Sequence, residues 1–508
     1  MLLGLLLVLL GCGSPPLPPR ELGAEAAEAL GDASLDSLRE EEQRLLKRRE
    51  NDPDPVAVDA AIATIRLAIL DFEVAPDRRK QVEMWVASLP PEDPASRLVR
   101  AELALRDGDL ATARRFLGPG APTTDEERLL YARIALAGGE PGAALSWMNG
   151  VQELAALRVR LLRVRILHAA GRQEEGAQEL RSILLDYPDH LLAQVLRVEL
   201  GAPEVQVQLA DLVQVRYRLP NRLRARVLGA QARALLARGD AAKAVSIAEL
   251  SRAMDGTDPD ALLVLAAAHA RKGQLREGLA DLGSASPAAA DVLVARILLL
   301  LDLDRVEQAD ALLKEQERLQ AQAALLPGLH YLVQAEGRGE RPQEPTPPPL
   351  RPVLVWAAAL ASALALEPEA VDRLTDAMSA ASSSSNPFEN ELVARIQMRR
   401  AILGGPEKGL IDAREAVIRW PEDPAMHLLL GSFYEASPKA TSRALAAAHY
   451  NRACSLSPEY ARAWYERGRF YQDAPDERTR DAWTRYLALD PSGPRAKRAA
   501  EFLASTAP

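Results

Sequence analysis

The sequence predicts an all-α chain folded as a right-handed α-solenoid of stacked helix–turn–helix repeats, and three observations carry this. First, its 508 residues are 48% hydrophobic but only 4% aromatic, with Ala and Leu supplying most of the apolar mass. Those residues lose little side-chain freedom in a helix, and the β-branched or aromatic runs that strands favour are scarce. Second, a glycine followed five residues later by Ala or Gly recurs at 108/113, 139/144, 171/176, 239/244, 273/278 and 404/409. Successive glycines are 31, 32, 68, 34 and 131 residues apart; the 68 is two periods, the 131 is four, and Asp304/Ala309 takes one intermediate place. Third, Pro188, Pro220, Pro421, Pro458 and Pro491 close the stretches ILLDYP, RYRLP, VIRWP, CSLSP and LALDP.

Each period reads as a helix, a tight turn and a second helix. Glycine at the turn takes a left-handed backbone without a Cβ penalty, the small residue five later lets the second helix lie close, and proline cannot continue a helix. One such unit cannot bury its own apolar face, so neighbours must stack.

Residues 461–491, ARAWYERGRFYQDAPDERTRDAWTRYLALDP, resemble a tetratricopeptide repeat, with Trp464, Gly468, Tyr471, Trp483 and Pro491 at signature positions. The unit before it, 425–458, carries Leu430-Gly431, Tyr434, Tyr450, Ala453 and Pro458. Upstream units are degenerate, with Ala often in place of the aromatic. The resemblance implies protein or peptide segments as partners, held on a face lined by the first helix of each unit. In the last matching unit that face would present Arg462, Tyr465, Arg469 and Gln472, an aromatic and arginine composition typical of binding hot spots. The Lys and Asn pattern of a carboxylate clamp is absent.

The chain opens MLLGLLLVLLGCGSPPLPPR. A membrane span needs about 20 apolar residues, roughly twice this run, and prolines at 15, 16, 18 and 19 stop its extension. It fits a secretory h-region. Leu9-Leu10-Gly11-Cys12 resembles the lipobox of bacterial lipoproteins, which implies a signal peptide over 1–11, an acylated Cys12 as mature N-terminus and a Pro-rich tether over 12–32. No Lys or Arg precedes the run. The absence of Asp at position 13 resembles lipoproteins sorted to the outer membrane, facing the periplasm.

Residues 33–94 are expected to form an N-terminal helical cap, and 95–335 a degenerate repeat solenoid. Residues 336–352, with PQEPTPPPLRP, read as a Pro-rich linker or loop. A helical region with a Ser-rich loop (ASSSSNP) is expected over 353–400, and the C-terminal repeats with a capping helix over 401–508. The apolar stretch VLVWAAALASALAL (353–366) is too short to span a bilayer and is expected as a buried helix.

Net charge is −9, which repels nucleic acid at long range, so no nucleic-acid partner is expected. Of 62 basic residues 54 are arginine. RVRLLRVR (158–165) and RYRLPNRLRAR (216–226) are read mainly as solvated surface, with Arg158 and Arg165 on one helix face. A contact with an acidic partner or lipid headgroups is the alternative. Cys454, in YNRACSLSP, is expected as a buried inert thiol.

No catalytic or cofactor motif is present: no G-x-S-x-G, no P-loop, no G-x-G-x-x-G, no C-x-x-C, and no metal spacing among the six histidines. The chain is therefore read as a non-enzyme without a cofactor. The expected role is a lipid-anchored scaffold in assembly of a bacterial envelope complex, such as a secretin, pilus or polysaccharide-export machine. The alternatives are a cytoplasmic repeat adaptor with a misread N-terminus, or a non-catalytic subunit of an envelope enzyme complex.

Overall fold

A computed structural model describes residues 35–337 and 370–505, apart from 52–54, 153–155, 202–205, 209, 211–218, 272–273, 286–288, 304, 323–324, 383–386, 420, 473–476 and 492–494. The leader, Cys12, the tether, the Pro-rich stretch and the apolar run 353–366 lie outside the described residues. Among the described residues the chain is helical and contains no strand.

α1 (Leu35–Arg49) and α2 (Pro55–Ile69) form an N-terminal hairpin, followed by α3 (Pro76–Ser88). Helix pairs then succeed one another: α4 (Pro94–Arg106) with α5 (Leu110–Leu117), α6 (Asp125–Ala137) with α7 (Pro141–Met148), and α8 (Leu157–Ala169) with α9 (Gln173–Asp186). α10 (Leu191–Glu199) precedes α11 (Asn221–Ala237) with α12 (Ala241–Met254), α13 (Pro259–Arg271) with α14 (Leu275–Asp281), and α15 (Ala290–Asp302) with α16 (Val306–Leu319). α17 (Leu326–Leu332) leads into a π turn. Beyond it come α18 (Ala370–Ser382), α19 (Pro387–Lys408) and α20 (Leu410–Arg419). The chain ends with α21 (Pro424–Ala436) and α22 (Ala440–Leu456), α23 (Ala461–Tyr471) and α24 (Glu477–Leu489), and α25 (Ala496–Ser505). Each pair packs on the next, which makes the fold an α-solenoid of stacked helix pairs.

The turns are built as the spacing predicts. Gly108, Gly139, Gly171 and Gly239 have φ of 77°, 78°, 74° and 85°. At each, the amide after the glycine donates to the carbonyl five residues back, as in Asp109 to Ala104 at 3.0 Å and Asp240 to Leu235 at 3.0 Å. This satisfies a carbonyl that the helix end would leave unpaired. The same bond joins Gln274 to His269 and Arg305 to Leu300, while 273 and 304 themselves lie outside the described residues. Asp109 and Asp240 then cap the second helix by accepting from Thr112 N and Lys243 N. One detail differs from expectation. Near 404 the left-handed residue is Gly405 (φ 68°), not Gly404, and it breaks α19 shortly before α20. α19 also runs through the boundary expected at 400/401.

The solenoid curls back on itself. Arg222 Nη1 donates to Leu70 O at 2.6 Å across 152 residues, and Gln322 Nε2 to Ala137 O at 2.8 Å across 185. Arg114 Nη1 reaches Gln320 Oε1 at 2.9 Å across 206. Leu319 and Ala321 share a core with Ala101, Ala104, Leu110 and Ile134. Gln320 and Gln322 both adopt left-handed backbone, φ 52° and 54°, a conformation costing about 1–2 kcal/mol for a residue with a Cβ. The docked contacts on either side hold them there. The N-terminal hairpin is expected as a cap but also fills a seam. Leu38, Leu45, Ile62 and Ile65 pack with Val195, Val198, Leu223 and Val227 of α10 and α11.

The longest apolar core runs from Ala232 to Ile396, and a second, aromatic core spans Ala401 to Ala499. In the second, Trp483, Tyr450 and Tyr486 are fully buried. Two glycines make room for them: a Cβ at Gly468 would stand 2.8 Å from the Trp483 ring, and one at Gly431 3.0 Å from Tyr450. Gly468→Val should therefore cost about 1–3 kcal/mol by overpacking and lower the thermal midpoint in a calorimetric scan. Gly142→Ala, where a Cβ would meet nothing within 4 Å, should leave the midpoint where it is or raise it. Equal midpoints for Gly468→Val and wild type would show that α23 and α24 do not pack this way.

Candidate partner-binding surface

The turn glycines set a register that arranges the charged residues of the first helices. Six residues before Gly108, Gly139, Gly171 and Gly239 stand Glu102, Arg133, Arg165 and Arg233; Glu199 holds the same place in the intervening repeat. Thirteen residues before successive turns stand Glu126, Arg158, Leu192, Arg226 and Asp260. Seven residues are nearly two helical turns, so both series lie on one helix face.

Neighbouring repeats meet along this face through ion pairs. Arg133 is bidentate to Glu102 at 2.5 and 2.8 Å, and Arg158 reaches Glu126 at 2.6 Å. Arg226 is bidentate to Glu199 at 2.6 and 2.8 Å. Arg233 pairs with Asp260 at 2.9 Å and Asp291 at 3.5 Å. At the N-terminal end Arg106 is held between Asp71, at 2.8 and 3.1 Å, and Glu102, at 2.9 Å. The result is a ladder of charge from Asp71 to Asp291.

The ladder lines the inner wall of the curl, because its charges act on one another across several repeats. Burial alone would raise the Asp71 pKa, but Arg106, with Arg133 and Arg222 behind it, holds it down at about 2. Burial likewise opposes Glu199, and Arg226 and Arg165 outweigh it to lower its pKa. Asp258 behaves in the opposite way: burial first, then Asp260, pushes it up to about 7. Its carboxylate accepts from Ser251 Oγ at 2.9 Å and Ala261 N at 3.1 Å, capping α13. A Cβ on Gly229 would collide with it, so Asp258 is part of the packing between α11 and α13.

Arg165 differs from the other rungs. It is exposed, and it forms no ion pair or hydrogen bond among the described residues. Burial lowers its pKa, and Arg226 and Arg133 add to this against the pull of Glu199 and Asp71. Elsewhere in RVRLLRVR, Arg160 turns to another face and binds Glu179 at 2.7 Å and Asp186 at 2.9 Å, while Arg163 is exposed. In the second cluster Arg222 and Arg226 face inward, Arg224 binds Leu219 O at 3.2 Å, and residues 216–218 lie outside the described residues.

The C-terminal residues expected on the groove are placed unevenly. Arg462 is exposed. Tyr465 is buried, edge-on to Trp483 and Tyr486, with the Arg495 guanidinium 5.2 Å from its ring centre. Arg469 is committed to Glu435 at 2.6 and 2.9 Å and Glu466 at 2.7 Å. Gln472 Oε1 accepts from Arg498 at 3.0 Å. Tyr465 therefore belongs to the terminal core, while Arg469 and Gln472 are engaged in polar contacts within the chain. Cys454 is buried, which pushes its thiol up to about 12, the state of an inert thiol.

Among the described residues no helix is long and apolar enough to cross a membrane, and no group of three or more His, Cys, Asp or Glu could hold a metal ion. No family model matches the chain, and no curated protein matches it. A solved structure, described as the crystal structure of APC/C hetero-tetramer Cut9-Hcn1, is 15% identical, with a TM-score of 0.42 over 95% of this chain and 92% of that chain.

A histidine pair joins α21 to α22 and makes a pH test of the C-terminal fold. His427 Nε2 lies 2.9 Å from Pro421 O, so it carries the proton and donates. Its Nδ1 must then accept from His449 Nδ1, 2.8 Å away. Burial lowers the pKa of both rings, and His427 is the further cause that takes His449 to about 4. Folded values below the unfolded value mean that this stability is complete above about pH 6.5 and is lost as the pH falls. Lowering the pH from about 7 to about 5 should lower the C-terminal melting midpoint, and His449→Gln should flatten that dependence. An equal pH slope in both proteins would count against the neutral pair.

Proposed function

We propose that the chain is a scaffold that holds a segment of a partner protein against the charged inner face of its solenoid. The observation that carries this reading is the ladder itself. First helices of successive repeats place matched charges on one continuous face, and a face of this kind offers an extended or helical segment many regularly spaced contacts. The absence of a catalytic motif in the sequence agrees with holding rather than reaction.

We further propose that Cys12 anchors the scaffold to a bacterial envelope membrane, in the service of an envelope assembly. The support is the short apolar run ending at Gly11-Cys12 and the prolines after it. Buried acyl chains contribute about 0.8 kcal/mol per CH₂, so two chains suffice for stable anchoring. A Pro-rich spacer of about 3.1 Å per residue would hold the solenoid off the surface.

The test is metabolic labelling with an alkyne fatty acid, followed by crosslinking and pulldown from envelopes. Wild type should carry label and sediment with membranes, and Cys12→Ala should lose both. An unlabelled wild type returns the protein to the adaptor reading. Crosslinked capture of no protein at all by the full chain would overturn the scaffold.

A further inference from the structure

The later rungs of the ladder follow a rule that the first ones, where Glu102 meets Arg133 and Glu126 meets Arg158, do not. From Glu199 onward, the residue six before one turn pairs with the residue thirteen before the next: Glu199 with Arg226, and Arg233 with Asp260. By the same register the answer to Arg165 should stand 34 residues before Arg226, and that residue is Leu192. Leu192 is apolar and packs into the neighbouring cores. The carboxylate of the same repeat, Glu199, is already held by both nitrogens of Arg226.

We propose that Arg165 is the anchoring cation for an acidic side chain of the bound protein segment, the partner supplying the counter-charge that Leu192 does not. This rests on reading the inner wall as the binding face. Every other rung is answered from within the chain, so Arg165 is the place on the ladder where an incoming anion gains most. The residue is exposed, and nearby Arg133 and Arg226 add positive potential. A guanidinium can take one carboxylate through two parallel hydrogen bonds. A nucleic-acid strand fits the site poorly, because Asp71, Glu199, Asp260 and Asp291 along the same wall repel a continuous polyanion. A single carboxylate matches a single open cation.

The test uses the purified full chain and fluorescence anisotropy, with a labelled peptide of alternating Glu and Ala as probe. Matched Gln–Ala and Lys–Ala peptides, a short oligonucleotide and inorganic phosphate serve as comparisons. Wild type should prefer the Glu–Ala peptide. Losing a hydrogen bond to a charged group lowers affinity about tenfold or more, so Arg165→Ala should weaken that binding by about this factor. Arg165→Lys should retain part of it, and Arg181→Ala, an exposed arginine on the second helix α9, should leave it unchanged. Leu192→Glu places a carboxylate at the unanswered position and should weaken peptide binding although Arg165 remains. Melting curves confirm that each variant is folded.

Equal Glu–Ala binding by wild type and Arg165→Ala overturns the assignment. So does displacement of the peptide by phosphate at the concentration of added peptide, or preferential binding of the oligonucleotide. If crosslinking captures a partner equally well with wild type and Arg165→Ala, the scaffold stands and the Arg165 assignment falls. If wild type holds neither peptide nor protein, both fall.

Discussion

In the helix pairs that follow the glycine spacing, the second helix can lie against the first only where the residue at the crossing has almost no side chain. A Cβ at Gly409 would come within 1.9 Å of Ala401 O, and one at Gly278 within 2.9 Å of Ala266 O. Ala113, Ala144, Ala244 and Ala309 take the same place elsewhere and are fully buried. This close approach sets the angle within each pair, and therefore the step from one pair to the next. The left-handed glycine turn delivers the chain to that crossing, and the backbone bond from the residue after it closes the first helix. Core, curl and ladder all follow from repeating this one contact.

Stacking these units buries the apolar faces, but the curl adds contacts that no short array could make. The strained Gln320 and Gln322 are held by Arg114 and the Ala137 carbonyl, and α1 and α2 lie against α10 and α11. The charge ladder adds little free energy rung by rung, since partly exposed ion pairs contribute about 0–1 kcal/mol each. Its value lies in register: bidentate pairs such as Arg133–Glu102 and Arg226–Glu199 fix how adjacent repeats align. They also determine which charge is left for a partner.

Much of this was legible in the chain itself. The glycine-to-small spacings predict the pairs, and Gly108, Gly139, Gly171 and Gly239 make the left-handed turns where expected. Gly404 against Gly405 was a choice between adjacent glycines that no period resolves. The arginine clusters were read mainly as solvated surface. Arg163 is consistent with that, whereas Arg160 is tied to Glu179 and Asp186, and Arg158, Arg222 and Arg226 belong to the inner wall. Counting back from the turns places Arg165 and Leu192 in register, but the sign at each rung varies, so no charge motif shows in a linear reading. Tyr465 was expected at the groove because its spacing puts it on the first-helix face. In the structure its ring packs on Trp483 and Tyr486 of α24, a contact that a repeat pattern does not resolve.

The sequence alone determined the helix pairs, their turns and the residues small enough to permit each crossing, because all of these are contacts within about one repeat of 34 residues. The tertiary structure decided which charges oppose one another and which repeats touch after 152 to 206 residues. Those outcomes depend on a small rotation accumulated over many repeats, and no local stretch of sequence contains that sum.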